Sequence, residues 1–135
     1  MVSRGQPAQV RILLDTHTFL WAITDESRLS AKVRTLMASA DCWFSVASVW
    51  EVIVKVQSGK ISLPRPVGAF LTSELADSGV QILPITLNHV LRVESLDLHH
   101  RDPFDRILIA QSIEENLPVL TADPLFKNYP VQLIW

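Results

Sequence analysis

The chain has little cysteine and no long apolar run. Cys42 is the only cysteine among 135 residues, which excludes an intramolecular disulfide framework and a zinc site built from cysteines. This composition is typical of a reducing compartment, and we expect a cytoplasmic protein. No apolar stretch approaches the roughly 18 residues of a membrane span, and residues 1–9 lack the apolar centre of a signal peptide. The sequence therefore predicts a compact soluble domain.

Positive charge is also scarce. The chain has 12 lysine and arginine residues against 14 aspartate and glutamate residues, a formal net charge of −2. Proteins that bind nucleic acid often carry a basic surplus, so any basic surface here must be local. The basic residues that could build one are scattered in the sequence: Arg65, Arg92, Arg101, Arg106 and Lys127.

Histidine does not indicate a metal site. His99 and His100 are adjacent, so they cannot both face one ion from a regular strand or helix. His17 and His89 are remote in sequence and have no cysteine partner. We therefore expect no zinc site.

Short apolar runs alternate with segments of helical spacing along the chain. The predicted strands are residues 10–14, 43–46, 80–85, 119–121 and 131–134. The predicted helices are residues 16–23, 30–40, 48–59, 67–77, 86–96 and 105–116. Pro84 interrupts the third strand and places it near a sheet edge. The alternation predicts a three-layer α/β/α sandwich with a mainly parallel central sheet, one domain over residues 10–135 after a flexible tail at residues 1–9.

Four acidic residues fall at the ends of these predicted strands or the starts of the helices. Asp15 ends the first apolar run, Asp123 follows the fourth, and Glu51 and Asp105 lie near helix starts. In a parallel α/β fold such positions gather along one edge of the sheet, where ligands usually bind. Carboxylates brought together there repel one another and lose solvation unless they share a cation. An oxygen-lined site of this kind suits Mg²⁺ or Mn²⁺ and phosphate chemistry.

Each acid also has a purely structural interpretation. Glu51 has the spacing of the third helical residue in a capping box that begins at Ser48, and Asp105 can complement its helix dipole. Asp15 and Asp123 can act as turn formers. A structural role is the simpler explanation for any one of them, whereas the set of four favours a shared cation.

Neighbouring residues have structural interpretations that we prefer. Asp102 before Pro103 is typical of an N-cap followed by proline in the first turn. Lys55 lies four residues after Glu51, which predicts an ion pair on one helix face in preference to a phosphate contact. Thr16 and Thr121 lie beside acids and can bond either turn backbone, the simpler role, or a carboxylate or phosphate.

Four sequence motifs together resemble the PIN domain family and, more narrowly, the VapC-type toxins of prokaryotic toxin–antitoxin modules. They are LLDTH at 13–17, SVASVWE at 45–51, RDPFDRILIAQ at 101–111 and LTAD at 120–123. The similarity runs from about residue 10 to residue 135. It implies a three-layer α/β/α ribonuclease that uses Mg²⁺ or Mn²⁺ to hydrolyse RNA, a cognate antitoxin that blocks the site, and a homodimer.

The resemblance also implies site residues. Asp15, Glu51, Asp105 and Asp123 match the acidic positions of the family. Asp15 and Asp105 are expected to ligate the metal directly or nearly so, whereas Glu51 and Asp123 ligate directly, ligate through water or orient the attacking water. The resemblance does not decide between one metal ion and two.

Three further classes of protein stay open at this point. A receiver-like phospho-acceptor also gathers acids at a sheet edge, but it would need paired acids after the first strand and a lysine where Asp123 stands. A PIN-like RNA- or protein-binding module without catalysis is the second class. An RNA-processing PIN nuclease that is not a toxin is the third.

The first predicted helix and the helix that carries Glu51 are rich in apolar residues. Their number exceeds what a small core obviously needs. They predict a groove for an antitoxin helix or extended segment: Phe19, Leu20, Trp21, Val49, Trp50 and Ile53. The tryptophans Trp21, Trp43 and Trp50 fit a core or an interface better than a base-stacking platform.

Overall fold

The computed structural model describes residues 10–99 and 102–135, so the predicted tail at residues 1–9 lies outside the described residues. The strands are β1 (Arg11–Leu14), β2 (Asp41–Ser45), β3 (Gln81–Leu83), β4 (Val119–Leu120) and β5 (Leu133–Ile134). The helices are α1 (Thr16–Thr24), α2 (Ala31–Ser39), α3 (Val46–Gln57), α4 (Val67–Asp77), α5 (Leu87–Glu94) and α6 (Pro103–Glu115). Short 3₁₀ turns cover Glu26–Arg28 and Pro124–Asn128.

The described strands form one parallel sheet in the order β3-β2-β1-β4-β5. β3 is an edge strand, as Pro84 predicted. The chain builds the sheet outward from β1 through β2 to β3 and then crosses back to place β4 against the other side of β1. The strand order therefore reverses between β1 and β4, and the crevice at their carboxyl ends is the usual ligand position in such sheets.

Helices cover both faces of this sheet and bury two apolar clusters. Successive residues of β1 point to opposite faces, so Ile12 and Leu14 enter one cluster with Phe44 while Leu13 enters the other with Ile109. All five of these side chains are fully buried. The predicted three-layer α/β/α sandwich is confirmed.

The start of α3 differs from the prediction. Ser45, the last residue of β2, is its N-cap and accepts a hydrogen bond from the Ala47 amide at 3.0 Å. Ser48 is buried inside the first turn and accepts from the Thr16 hydroxyl at 2.7 Å. The predicted capping box of Ser48 and Glu51 is therefore wrong, because the helix begins at Val46 and Glu51 is its sixth residue.

Three other helix-end signals in the local sequence are present in the structure. Ser30 caps α2 by accepting from the Val33 amide. Asp102 caps α6, which begins at Pro103, two residues before the predicted start. Gly59 follows α3 with a φ of 77°, a left-handed conformation that favours glycine.

Candidate active site

The reversal of strand order brings the acids to one edge of the sheet. Asp15 follows β1, and Thr121 and Asp123 follow β4. The Asp15 amide donates to the carbonyl of Leu120 at 3.1 Å, so the two strand ends lie side by side. Glu51 comes from the second turn of α3 and Asp105 from the first turn of α6.

The pKa of Asp105 shows that these acids share one electrostatic environment. It is raised to about 8, first by burial and then by the negative charges of Asp15, Asp102, Glu51 and Asp123. Coulomb energies of this kind require the carboxyl groups to be near one another. Asp15, Glu51 and Asp123 therefore lie near enough to Asp105 to influence its pKa.

Asp15 lies nearest the centre of the sheet and is 5% exposed. Burial raises its pKa, the Glu51 charge adds to that effect, and the Thr121 hydrogen bond and His17 oppose it. Its side chain makes no capping hydrogen bond to α1 within the described residues. A hydrogen bond from the Thr16 backbone, at the start of α1, also lowers the pKa of Asp15, so its carboxylate contacts the turn backbone as well as Thr121.

Thr121 connects the two strand ends. Its hydroxyl donates to Oδ2 of Asp15 at 2.9 Å and accepts from the amide of Asp123 at 3.0 Å. Thr121 therefore fills both roles considered from the sequence, because it bonds turn backbone and a carboxylate at once. It fixes the orientation of Asp15 across a sequence separation of 106 residues.

Glu51 is 2% exposed, and its two carboxylate oxygens have different surroundings. Oε2 lies 2.7 Å from Nζ of Lys55, which confirms the predicted ion pair. Oε1 is buried and has no hydrogen-bond partner among the described residues. A buried carboxylate oxygen without a partner is unfavourable, so it marks a place where a cation would stabilise the fold.

Asp123 and Asp102 make local bonds. Oδ1 of Asp123 accepts from the Leu125 amide at 2.9 Å, so the predicted turn-forming role is real for that oxygen. Oδ1 of Asp102 accepts from the amides of Phe104 at 2.8 Å and Asp105 at 3.3 Å. The prediction of Asp102 as the N-cap of α6 is confirmed.

The acids approach one another without forming a closed ligand shell. Among residues 10–99 and 102–135, no three histidine, cysteine or acidic side chains converge closely enough to hold an ion as they stand. Coulomb coupling extends beyond ligand distance, so this arrangement is compatible with the raised pKa of Asp105. The all-oxygen donors and the unpartnered Oε1 of Glu51 fit a hard divalent cation that would draw the carboxylates together.

Two of the arginines named from the sequence have structural partners. The Arg106 guanidinium donates to the backbone carbonyls of Val93, Leu96 and Asp97 at 3.0 to 3.2 Å, which ties α6 to the end of α5. Arg92 pairs with Glu114. Both guanidinium groups therefore make structural contacts within the fold. Their positions in the sequence did not indicate this role.

His89 is buried, and its Nδ1 accepts from the Thr86 amide at 3.0 Å. Its Nε2 lies 2.9 Å from Oε1 of Glu115. His89 therefore completes the capping box of α5. Its position three residues after Thr86 is the spacing of such a box, and this signal in the sequence was missed.

Apolar surface lies beside the crevice. Trp50 is 60% exposed and packs edge-on against Phe104, with ring centroids 5.0 Å apart. Both line a cavity of about 310 Å³ between α3, α5 and α6. Phe19 and Leu20 are core residues that also line cavities of about 220 Å³ and 360 Å³ respectively, so the groove for an antitoxin stays a prediction. Within the described part of the chain, no helix is long and apolar enough to cross a membrane.

A three-layer parallel domain with acids at the reversal of strand order belongs to the class of α/β proteins whose ligands bind outside the carboxyl ends of the strands. The family model described as the PIN domain matches residues 12–132. The chain belongs to the PIN domain family, as the sequence motifs predicted.

Solved structures share this fold. The crystal structure of VapBC2 from Rickettsia felis bound to a promoter DNA fragment is similar with a TM-score of 0.69 and 16% identity, over 93% of this chain and 98% of that one. FitAcB from Neisseria gonorrhoeae is similar with a TM-score of 0.67 and 19% identity, over 92% and 96%. VapBC-5 of Mycobacterium tuberculosis, a member of the VapBC family of toxin–antitoxin systems, is similar with a TM-score of 0.57 and 21% identity, over 93% and 98%. No curated protein sequence matches the chain.

Proposed function

We propose that the chain is a divalent-metal-dependent ribonuclease that hydrolyses RNA phosphodiester bonds as the toxin of a toxin–antitoxin module. The observation that carries this proposal is the group of partly or fully buried carboxylates around Asp105, whose pKa is raised to about 8 by burial and by their negative charges. A fold gains nothing from such repulsion unless a cation is bound there. Membership of the PIN domain family supports nuclease chemistry at this site.

The four acids have distinct roles in this proposal. Asp15 and Asp105 ligate the metal, and Glu51 and Asp123 complete the ligand set or orient the attacking water. When bound, Mg²⁺ or Mn²⁺ stabilises charge on the phosphate oxygens and lowers the pKa of water. Thr121 holds the Asp15 carboxylate toward the crevice.

Cleavage assays test the enzymatic part. We expect the purified, antitoxin-free protein to cleave single-stranded or looped RNA with Mg²⁺ or Mn²⁺, and EDTA to abolish cleavage. Asp15→Asn and Asp105→Asn should each remove activity. Asp77→Asn, which changes an exposed acid of α4, is the matched control and should retain it. Cleavage that needs no metal and survives both site substitutions would refute the proposal.

An antitoxin is the expected protein partner. The chain is similar to chains of VapBC structures, and the VapBC family is one of toxin–antitoxin systems, which supports an antitoxin partner. Co-expression with a neighbouring small gene product should give a stable complex with suppressed nuclease activity. RNA cleavage without growth arrest on expression would favour an RNA-processing nuclease, and RNA binding without cleavage would favour a binding module.

A second copy of the chain is the other expected partner. α5 exposes Leu87, Val90 and Leu91 at 72%, 52% and 55%, and Val90 lines the same cavity as Trp50. A homodimer would cover such apolar surface. We expect light scattering to give the mass of a dimer and Leu91→Asp to give a monomer. A monomeric wild-type protein would contradict this part of the proposal.

A further inference from the structure

The ion pair of Glu51 and Lys55 is unusual because its acid is almost completely buried. The two residues lie one turn apart on α3, and their side chains are 2% and 24% exposed. An exposed pair at this spacing contributes a few tenths of a kcal/mol. A buried carboxylate depends far more on its partner, since losing the partner leaves a charge without compensation.

The pair also makes the two oxygens of Glu51 inequivalent. Oε2 is engaged by Lys55 at 2.7 Å, whereas Oε1 has no hydrogen-bond partner among the described residues. Asp15 and Asp105 both experience the Glu51 charge, so this carboxylate lies near both of them. Fixing one oxygen limits rotation of the carboxylate and thereby directs the other.

We propose that Lys55 is a positioning residue that holds Oε2 of Glu51 and keeps Oε1 available to the cation shared by the other acids. The inference rests on the proposed metal-dependent function. Partners that orient a metal ligand without touching the metal often change affinity by about ten- to a hundredfold when removed. Without Lys55, the buried carboxylate is free to turn toward water, and that change withdraws an oxygen from the site.

A purely electrostatic role for Lys55 predicts the opposite result. If Lys55 only neutralised the acidic crevice, its removal would make the site more negative and strengthen cation binding. Positioning predicts weaker binding in spite of the added negative charge. The direction of the change in Mn²⁺ affinity therefore separates the two roles.

The experiment measures the Mn²⁺ dissociation constant of the full chain by calorimetry or electron paramagnetic resonance. We expect Lys55→Met to weaken binding about ten- to a hundredfold and Lys55→Arg to restore most of the affinity. Lys60→Met removes the same charge from an exposed lysine just beyond α3 and should stay within about twofold of wild type. In a Glu51→Gln background, adding Lys55→Met should leave the affinity unchanged, because the carboxylate to be positioned is gone.

Melting curves first establish that each variant is folded, and Lys55→Gln replaces Lys55→Met should the latter fail to fold. Equal or tighter Mn²⁺ binding by the folded variant overturns the positioning role and leaves the proposed nuclease intact. An equal loss of affinity in the Glu51→Gln background also overturns it, since the effect would not pass through Glu51. A wild-type protein that binds no Mn²⁺ overturns the proposed function and this inference together.

Discussion

Replacing Asp105 by asparagine should stabilise the metal-free protein at neutral and alkaline pH. The substitution keeps the size of the side chain and removes its charge from a crevice that also contains Asp15, Glu51 and Asp123. Raising the pKa of a carboxyl group from 3.8 to about 8 would cost the folded state up to about 6 kcal/mol once the group is ionised. Asp105 is partly exposed, so solvent screening reduces this figure, and we expect a gain of about 2 kcal/mol.

The gain should depend on pH in a defined direction. An acid whose pKa is raised on folding stabilises the folded state fully below its unfolded pKa, near 4, and this contribution is lost as the pH rises toward 8. Asparagine does not titrate. The difference between variant and wild type should therefore be small near pH 4 and should grow steadily up to pH 8.

Urea unfolding followed by circular dichroism, in EDTA at pH 4.5, 6 and 8, measures this difference. Asp77→Asn, an exposed change of the same kind, should show no such trend. Added Mn²⁺ should reverse the order, because it stabilises the wild type that binds it and not the variant that has lost a ligand. A variant that is less stable than wild type at pH 8 without metal, or an advantage that does not vary with pH, would contradict the claim that burial and repulsion together destabilise the ionised form of Asp105.

Two further substitutions test the neighbouring positions. Asp102→Ala should lower the free energy of unfolding by about 1 kcal/mol through loss of the α6 N-cap and should keep the thermal stabilisation by Mn²⁺; loss of the Mn²⁺ response would make Asp102 a ligand. Thr121→Val removes the hydroxyl that donates to Asp15 and should weaken Mn²⁺ binding about tenfold, with Thr121→Ser retaining most of it. If Thr121→Val binds Mn²⁺ with unchanged affinity, the hydrogen bond from Thr121 is not needed to orient Asp15.

Local chemistry made most element boundaries predictable. The caps at Ser30 and Asp102 and the left-handed glycine after α3 are set by side chains within a few residues of the helix ends. The start of α3 was not predictable in this way, because Ser45 and Ser48 can both serve as caps. The choice follows from the extent of β2, whose pairing with β3 continues to Ser45 opposite Leu83.

Apolar spacing identified helix faces without showing what covers them. Phe19 and Leu20 have the same local pattern as Trp50, yet the first two are buried in the core and the third is 60% exposed. The difference in exposure depends on which layer of the sandwich each helix packs against. That information lies in contacts between distant segments and not in the spacing of one helix.

The sequence by itself determined that the chain is a parallel α/β domain of the PIN family and that four acids lie where strands end or helices begin. Only the tertiary structure decided how those acids meet. The crossing from β3 to β4 places Thr121 against Asp15, and burial of α3 leaves one oxygen of Glu51 paired with Lys55 and the other without a partner among the described residues. Helix and strand patterns arise from interactions over a few residues, whereas these contacts join segments up to 106 residues apart and form only when the sheet has assembled.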